Sequence, residues 1–399
     1  MWIRDSTSQL LTYSSLVPKS PKLQRLLLGA INMQARYLRR HPYCNAFHPP
    51  SNANLKNDEH AAGNDHVMPP YNPKNVFECK YELDSLASFF KISRSYWELT
   101  GDNSFCRSGP DWIAAVVTVL DLLDAQSAST FDATTGKKLR QQYTFQRSSP
   151  KGTETQSLDG AGFPTSHGTG MIRSAFRPSD DATIFQFLVP ANAYMSVELG
   201  HLAKLLRSLS TPGSDRETDK LVARATLKSQ EIRQGIFDYA VTKHGIFGEV
   251  FAYEVDGYGS ALYMDDANVP SLLSLPLLGF VNNTHPIYQN TRRMVLSRQG
   301  NPYYLEGPMF SGIGGPHVGT QHAWPMASIV RCLTSDDKEE VRQQLEMLKQ
   351  STAGLGLMHE SVNVLDVSDY TRPWFSWASG MFADLLLDIR VRMPELLMT

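Results

Sequence analysis

Apolar residues recur at three- and four-residue steps through about eleven stretches of this 399-residue chain. That period dictates helices rather than sheet. Leu23, Leu26, Leu27, Ala30, Ile31 and Met33 show the pattern in one stretch. The predicted helices run over about 6–17, 21–40, 81–99, 110–127, 181–209, 215–241, 266–280, 285–298, 320–333, 336–351 and 372–392. Ser20-Pro21, Gly109-Pro110-Asp111 and Ser335-Asp336-Asp337 mark starts. Residues 143–147 and 248–254 read as short strands. The connections 41–80 and 129–180 are long and rich in Pro, Gly, Asn, Ser and aromatics, the make-up of functional loops. No linker and no internal repeat divides the chain. The pattern therefore predicts one domain, residues 1–399, of paired helices with a site built from loops on one face. Paired helices come in even numbers, so a count near eleven places a missing partner before Met1. Met1-Trp2-Ile3-Arg4-Asp5-Ser6 reads as the middle of a domain and not as a signal peptide. Any export signal would lie upstream of it.

Composition excludes some classes. A formal net charge of -2 gives no electrostatic footprint for nucleic acid, and no apolar run approaches a membrane span. No D-x-D-x-D-G loop and no H-E-x-x-H is present, so neither metal nor cofactor is expected. Gly312-Ile313-Gly314-Gly315-Pro316-His317 lacks the Gly-Lys-Ser/Thr ending of a phosphate loop. The four cysteines, Cys44, Cys79, Cys106 and Cys332, form no C-x-x-C pair. A Cys44–Cys79 bridge is open to them, but free buried thiols are the expectation. Asn282-Asn283-Thr284 is an N-x-T sequon in a turn between helices.

The chemistry-bearing residues lie in aromatic, Gly- and Pro-rich surroundings. Asp180 and Asp181 follow Phe176-Arg177-Pro178-Ser179. At a helix start such a pair is ordinary capping. As a general acid, Asp180 must hold its proton near neutral pH, so burial and a like-charged neighbour must outweigh the helix dipole and Arg177. Asp181 then supports the structure or binds sugar. Glu360 follows Gly354-Leu355-Gly356-Leu357-Met358-His359. It is either a surface carboxylate or a base that activates water. Arg4-Asp5 after Trp2 is a salt-bridged helix start, or a fork and carboxylate for vicinal hydroxyls. Asp265-Asp266-Ala267-Asn268 is another acidic helix start and the rival for the acid role. Two carboxylates from distant segments in aromatic settings are what sugar hydrolysis needs.

Taken together, these segments resemble glycoside hydrolase family 125, the exo-acting α-1,6-mannosidases. The resemblance rests on Met1 to Ser6, Tyr43-Cys44-Asn45-Ala46-Phe47, Lys80-Tyr81-Glu82-Leu83-Asp84-Ser85, Phe145-Gln146-Arg147, Phe176 to Ala182, Tyr263 to Leu273, Gly312 to His317 and Met358-His359-Glu360. It implies an all-α (α/α)6 toroid with short strands between helices, and metal-independent hydrolysis with inversion. It implies Asp180 as general acid and Glu360 as general base. Trp2, Arg4, Asp5, Asn45, Phe47, Tyr81, Glu82, Asp84, Gln146, Arg147, Arg177, Asp181, Asp265, Asp266, Asn268, His317 and His359 are the candidate substrate-binding residues. The partner it implies is a mannose-containing oligosaccharide or glycan. Two departures stand out. Members of the family continue upstream of the Trp-x-Arg-Asp segment, and they carry Trp-Ser-Gly where this chain has Arg173-Ser174-Ala175. An inverting mechanism sets the two carboxyls about 6.5–9.5 Å apart, with room for water. The alternatives are another toroid enzyme acting on sugars, a glucosidase or lyase, or a truncated sugar-binding homologue without activity.

Overall fold

The computed structural model describes residues 1–55, 65–210 and 213–397; part of the 41–80 connection, 56–64, lies outside the described residues. The chain divides into two compact units, Met1–Tyr239 with Glu254–Ser260, and Ala240–Tyr253 with Ala261–Thr399.

The first unit carries α1 (Ile3–Leu11), α2 (Pro21–Arg40), α3 (Leu83–Thr100), α4 (Asp111–Gln126), α5 (Val189–Arg207) and α6 (Arg216–Tyr239). Local chemistry sets their ends. Ser20 accepts from the Leu23 N–H and Pro21 opens α2, the usual helix entry. Gly101, at φ +71°, closes α3 in the left-handed conformation that glycine adopts without strain. α3 is buried on nearly all sides, with 11 of its 18 residues in the interior. It packs against α1, α2 and α5, while α2 packs on α4 and α5 on α6. Phe89 of α3 meets Trp112 of α4 with ring centres 6.4 Å apart, and the Trp112 indole donates to Ser93 Oγ at 3.0 Å. Anything anchored at the start of α3 is therefore held by the core.

The second unit carries α7 (Pro286–Val295), α8 (Pro325–Leu333), α9 (Lys338–Gln350) and α10 (Ser376–Arg392). α8 packs on both α9 and α10. A hairpin of Val241–His244 with Gly248–Phe251 leans on α7. Residues 361–363 form the middle strand of a three-stranded antiparallel sheet with 322–323 and 370–371. Phe310, Ala323, Val362 and Val364 make a small core beneath it, covered by Leu305, Met347 and Tyr370.

Four expectations need correction. The helix predicted from 181 begins at Val189, because the Glu254 carboxylate takes the N–H groups of Ile184 and Phe185 at 2.8 and 2.9 Å. No helix forms over 266–280. Pro270 and Pro276 lack N–H groups, and the Asp265 carboxylate binds the N–H groups of Leu272 and Leu273 at 2.8 and 2.9 Å. The described residues hold ten α-helices rather than eleven. Cys44 and Cys79 are bridged rather than free, whereas Cys106 and Cys332 are free and buried as expected. The bridge closes beside the pairing of Ala46 with Glu78, which draws the two cysteines together.

Candidate active site

In the first unit, Arg4 on the first turn of α1 is the centre of a buried carboxyl cluster. Its Nη1 donates to Glu82 Oε2 at 2.7 Å and to Asp84 Oδ2 at 3.1 Å, and its Nη2 lies 3.3 Å from Asp5 Oδ2. Glu82 and Asp84 are placed by the entry to α3, and their side chains are sealed from solvent. Burial works against the Arg4 cation, but Glu82, Asp5, Asp84 and Asp180 outweigh it and hold its pKa well above the ordinary value. Burial pushes the Glu82 carboxyl well above the usual carboxylate range; Arg4 opposes this, while Asp180 and Asp84 add to it. Burial also raises Asp84 and Asp5, again with Arg4 opposing.

Asp180 reaches this cluster from the tip of a hairpin. Phe176 bridges Ala182, the Asp180 N–H closes on the Arg177 carbonyl at 2.9 Å, and Pro178 occupies the first turn position. Asp180 follows the turn at φ +69°, the left-handed residue of a three-residue hairpin loop. A non-glycine residue there is strained, and Asp is among the few that tolerate it. The hairpin is anchored from below. Arg177 Nε donates to the fully buried Glu254 at 2.6 Å, and Asp181 accepts from Ser179 Oγ at 3.2 Å. Asn45 Nδ2 donates to both Glu82 Oε1 at 3.1 Å and Asp180 Oδ1 at 3.3 Å. Lys80 Nζ donates to the Asp180 carbonyl at 2.9 Å. Asp180 itself is half-buried and, like Asp5, lies within reach of solvent, whereas Glu82 and Asp84 do not.

In the second unit, Glu360 sits just before the strand 361–363. Its Oε1 accepts from Arg372 Nε at 2.8 Å, and its N–H donates to the Thr371 carbonyl. Arg372 holds a left-handed φ of +50° and is 64% exposed along its side chain, so it reaches Glu360 from the solvent side. His359 is buried and stacks flat on Tyr370, with ring centres 3.8 Å apart, and its Nδ1 lies 3.2 Å from the Arg372 carbonyl. Asp266 Oδ1 accepts from the backbone and side chain of Asn268 at 3.2 and 3.1 Å. Asp265 is buried and turned to its own loop; burial raises its pKa to about 8 against the pull of the Leu273 and Leu272 N–H groups. Both of its carboxyl oxygens are engaged by that loop's own N–H groups. His317 packs near Trp324, which meets Phe375 edge to face.

The structure brings Arg4, Asp5, Asn45, Glu82, Asp84 and Asp180 together in one unit, and His359 with Glu360 in the other. It places some predicted residues elsewhere. Phe47 is 1% exposed and stacks on Tyr37, and Tyr81, equally buried, packs edge-on to Tyr43. Both are packing groups. Arg147 binds Asp65 in a two-pronged pair at 2.7 and 2.8 Å and also Glu78, which occupies its fork. Gln146 is exposed on the strand beside it, opposite His66. Trp2 is half-buried against Phe77. Sequence reasoning missed Arg372, Lys80 and Glu254. Lys80 lay inside the 80–85 segment already singled out, while nothing local marks Glu254 as the partner of Arg177. Among the described residues, no group of three His, Cys, Asp or Glu side chains could hold a metal ion, and no helix is long and apolar enough to cross a membrane.

A fission yeast protein, the meiotically up-regulated gene 157 protein of Schizosaccharomyces pombe, is 52% identical over 99% of this chain and 76% of its own length. A Streptococcus pneumoniae structure, described as a metal-independent alpha mannosidase in a non-productive complex with alpha-1,6-mannobiose, superposes with a TM-score of 0.87. It is 34% identical, over 97% of this chain and 85% of its own. A bacterial glucoamylase complexed with acarbose shares the fold alone, with a TM-score of 0.59 and 11% identity over 99% of this chain and 50% of its own. The fold class is thus that of the all-α (α/α)6 glycosidases. Residues 1–387 match the family described as metal-independent alpha-mannosidase (GH125), and the chain belongs to that family.

Proposed function

We propose that this α-mannosidase removes non-reducing terminal α-1,6-linked mannose from mannose-containing oligosaccharides, with inversion, and that residues 1–399 act as one catalytic domain. Asp180 is the general acid and protonates the glycosidic oxygen as the bond to the anomeric carbon breaks. Glu360 is the general base and takes the proton of the water that attacks that carbon. Arg4, Asp5 and Asp266 with Asn268 are the sugar-holding groups. The observation that carries the reading is the placing of Asp180: a strained, half-buried carboxyl at a hairpin tip, hydrogen-bonded through Asn45 to a buried carboxyl cluster. Strain of this kind persists where the surroundings over-determine it, and it gathers at functional sites. The α-1,6-mannobiose bound by the pneumococcal relative supports the linkage.

The test is hydrolysis of α-1,6-mannobiose followed by proton NMR of the first-formed product. Inversion releases β-mannose before mutarotation, and first-formed α-mannose refutes it. Asp180→Asn and Glu360→Gln should each lower kcat by at least about 10²-fold, the lower range for general acid–base catalysis. Asn is the right replacement at 180, since it tolerates the left-handed backbone that alanine resists. A variant that hydrolyses mannobiose at near-normal rate removes that role from its residue.

A further inference from the structure

The carboxyl cluster around Arg4 has a charge imbalance that bears on the acid. Asp5 and Arg4 on α1, Glu82, Asp84 and Ser85 at the start of α3, Asn45, Lys80 and Asp180 all face it. Lys80 binds the backbone carbonyl of Asp180 and lies 3.5 Å from Glu78, so its charge is shared with a fifth carboxylate. Four carboxyls thus gather around the single Arg4 guanidinium. A fully ionised cluster would leave net negative charge in a buried site, and such groups retain protons instead. The place of the retained proton follows from the hydrogen bonds. Glu82 Oε2 already accepts from Arg4 at 2.7 Å and from Ser85 Oγ at 2.8 Å. Asn45 Nδ2 donates to Glu82 Oε1 at 3.1 Å and to Asp180 Oδ1 at 3.3 Å, so the two carboxyls converge on one amide nitrogen. Two ionised carboxylates brought that close in a buried site repel each other, and one proton retained by the pair relieves the repulsion.

We propose that Glu82 is the positioning residue that keeps the candidate acid Asp180 protonated, the two carboxyls sharing one proton with Asn45 bridging them; this rests on Asp180 being the acid. Glu82, anchored by Arg4 and Ser85, is the acceptor end, and Asp180, nearer to solvent, presents the proton. When Asp180 gives that proton to the departing sugar oxygen, the pair is left doubly ionised beside Arg4. Solvent then restores the proton at the exposed carboxyl. Two carboxyls that share a proton titrate as a pair, one of them displaced upward.

The test compares wild type and Glu82→Gln on two substrates, α-1,6-mannobiose and α-mannosyl fluoride, whose leaving group departs without a proton. Loss of the pair should move the basic limb of kcat/KM for mannobiose to lower pH by about one unit. At neutral pH the loss on mannobiose should exceed that on the fluoride by at least about tenfold, the scale of general-acid assistance. An unmoved basic limb, or equal losses that fall on KM, would make Glu82 a structural or sugar-binding residue and overturn the proposal. If Asp180→Asn keeps mannobiose turnover, the acid assignment itself fails, a different outcome. Carboxyl carbon NMR titration of the wild-type protein needs no variant to fold. It should show the pair keeping one proton above the ordinary carboxyl range, and loss of both protons within that range overturns the proposal.

A separate observation carries a modification site. Asn282 of the sequon is exposed in the turn before α7, and Thr284 Oγ1 donates to its side-chain oxygen at 3.1 Å. The Cys44–Cys79 bridge is independent of it and belongs to oxidising compartments, the setting in which sequons are glycosylated. We infer that Asn282 carries an N-linked glycan. Protein taken from its own cells, treated with a peptide amidase that removes N-glycans, should yield the tryptic peptide 244–292 with aspartate at 282. The same peptide bearing only unmodified asparagine overturns the inference.

Discussion

Replacing Arg4 by methionine tests whether the carboxyl cluster depends on its one guanidinium. The arginine is 4% exposed along its side chain, and it touches Glu82 and Asp84, which are 0% exposed. Methionine fills most of the volume but leaves those carboxyls without their cation. Breaking a buried pair from one side costs about 3–5 kcal/mol. The pH dependence gives a second route to the magnitude. The folded-state pKa values of Glu82, Asp84 and Asp5 are already raised, and the variant raises them further. Groups with raised folded pKa values contribute stability that is full below the unfolded value, near pH 4, and lost as pH rises through the folded one. If the variant holds one more proton than wild type, its deficit grows by about 1.4 kcal/mol per pH unit. Between about pH 4 and pH 7 that amounts to about 4 kcal/mol, in line with the first figure. Urea denaturation of both proteins at several pH values is the assay. A deficit below about 1 kcal/mol at pH 7, or one unchanged between pH 4.5 and 7, refutes the reasoning.

Other perturbations probe the scaffold. Replacing both Cys44 and Cys79 by serine opens a cross-link spanning 35 residues, which should lower stability by about 3–4 kcal/mol on the chain-entropy account. Equal denaturation midpoints with and without reductant would count against that bridge. In α6, a Cβ at Gly235 would sit 1.9 Å from the Thr169 carbonyl oxygen, so Gly235→Ala should cost about 2 kcal/mol or more through displaced backbone. Gly29 in α2 has nothing within 4 Å of such a Cβ, and Gly29→Ala should instead add about 0.5–1 kcal/mol. Thermal unfolding of the two variants should therefore move in opposite directions, and a common direction would contradict the packing described for α6.

How much was legible in the sequence depended on who claims the backbone N–H groups. Where a segment satisfies its own, as in α2 or α9, period and capping residues located the helix closely. Where a carboxylate claims them, the helical period misled. Glu254 takes those of Ile184 and Phe185 from some seventy positions away, a partnership no local pattern announces. Asp265 does the same to Leu272 and Leu273. The Cys44–Cys79 bridge was ranked below free thiols for a related reason: the strands that bring the two together, Ala46–Phe47 and Val76–Glu78, are too short to carry a period. Among the candidate residues, those on α1, the entry of α3 and the 176–182 hairpin did assemble. Phe47, Tyr81 and Arg147 were named because they lie in segments that carry the family resemblance, and packing or ion pairing already occupies them.

The misplaced helix start removes a conflict in the chemistry. A carboxyl at a helix N-terminus faces the positive end of the dipole, which favours its ionised form, the opposite of what a general acid requires. Read from sequence, Asp180 stood at such a start and needed burial and Asp181 to overcome it. In the structure α5 begins at Val189, and the dipole's influence fades within one turn of a helix end. Asp180 meets the Asn45 amide, which also binds the buried Glu82 carboxyl, while Asp181 accepts from Ser179. The hairpin thus exchanges an environment that would strip the proton for one in which a second carboxyl helps to hold it. The strained backbone at Asp180 is the conformational cost of that exchange, and under the proposed acid role it accounts for a turn at this position in place of a helix start.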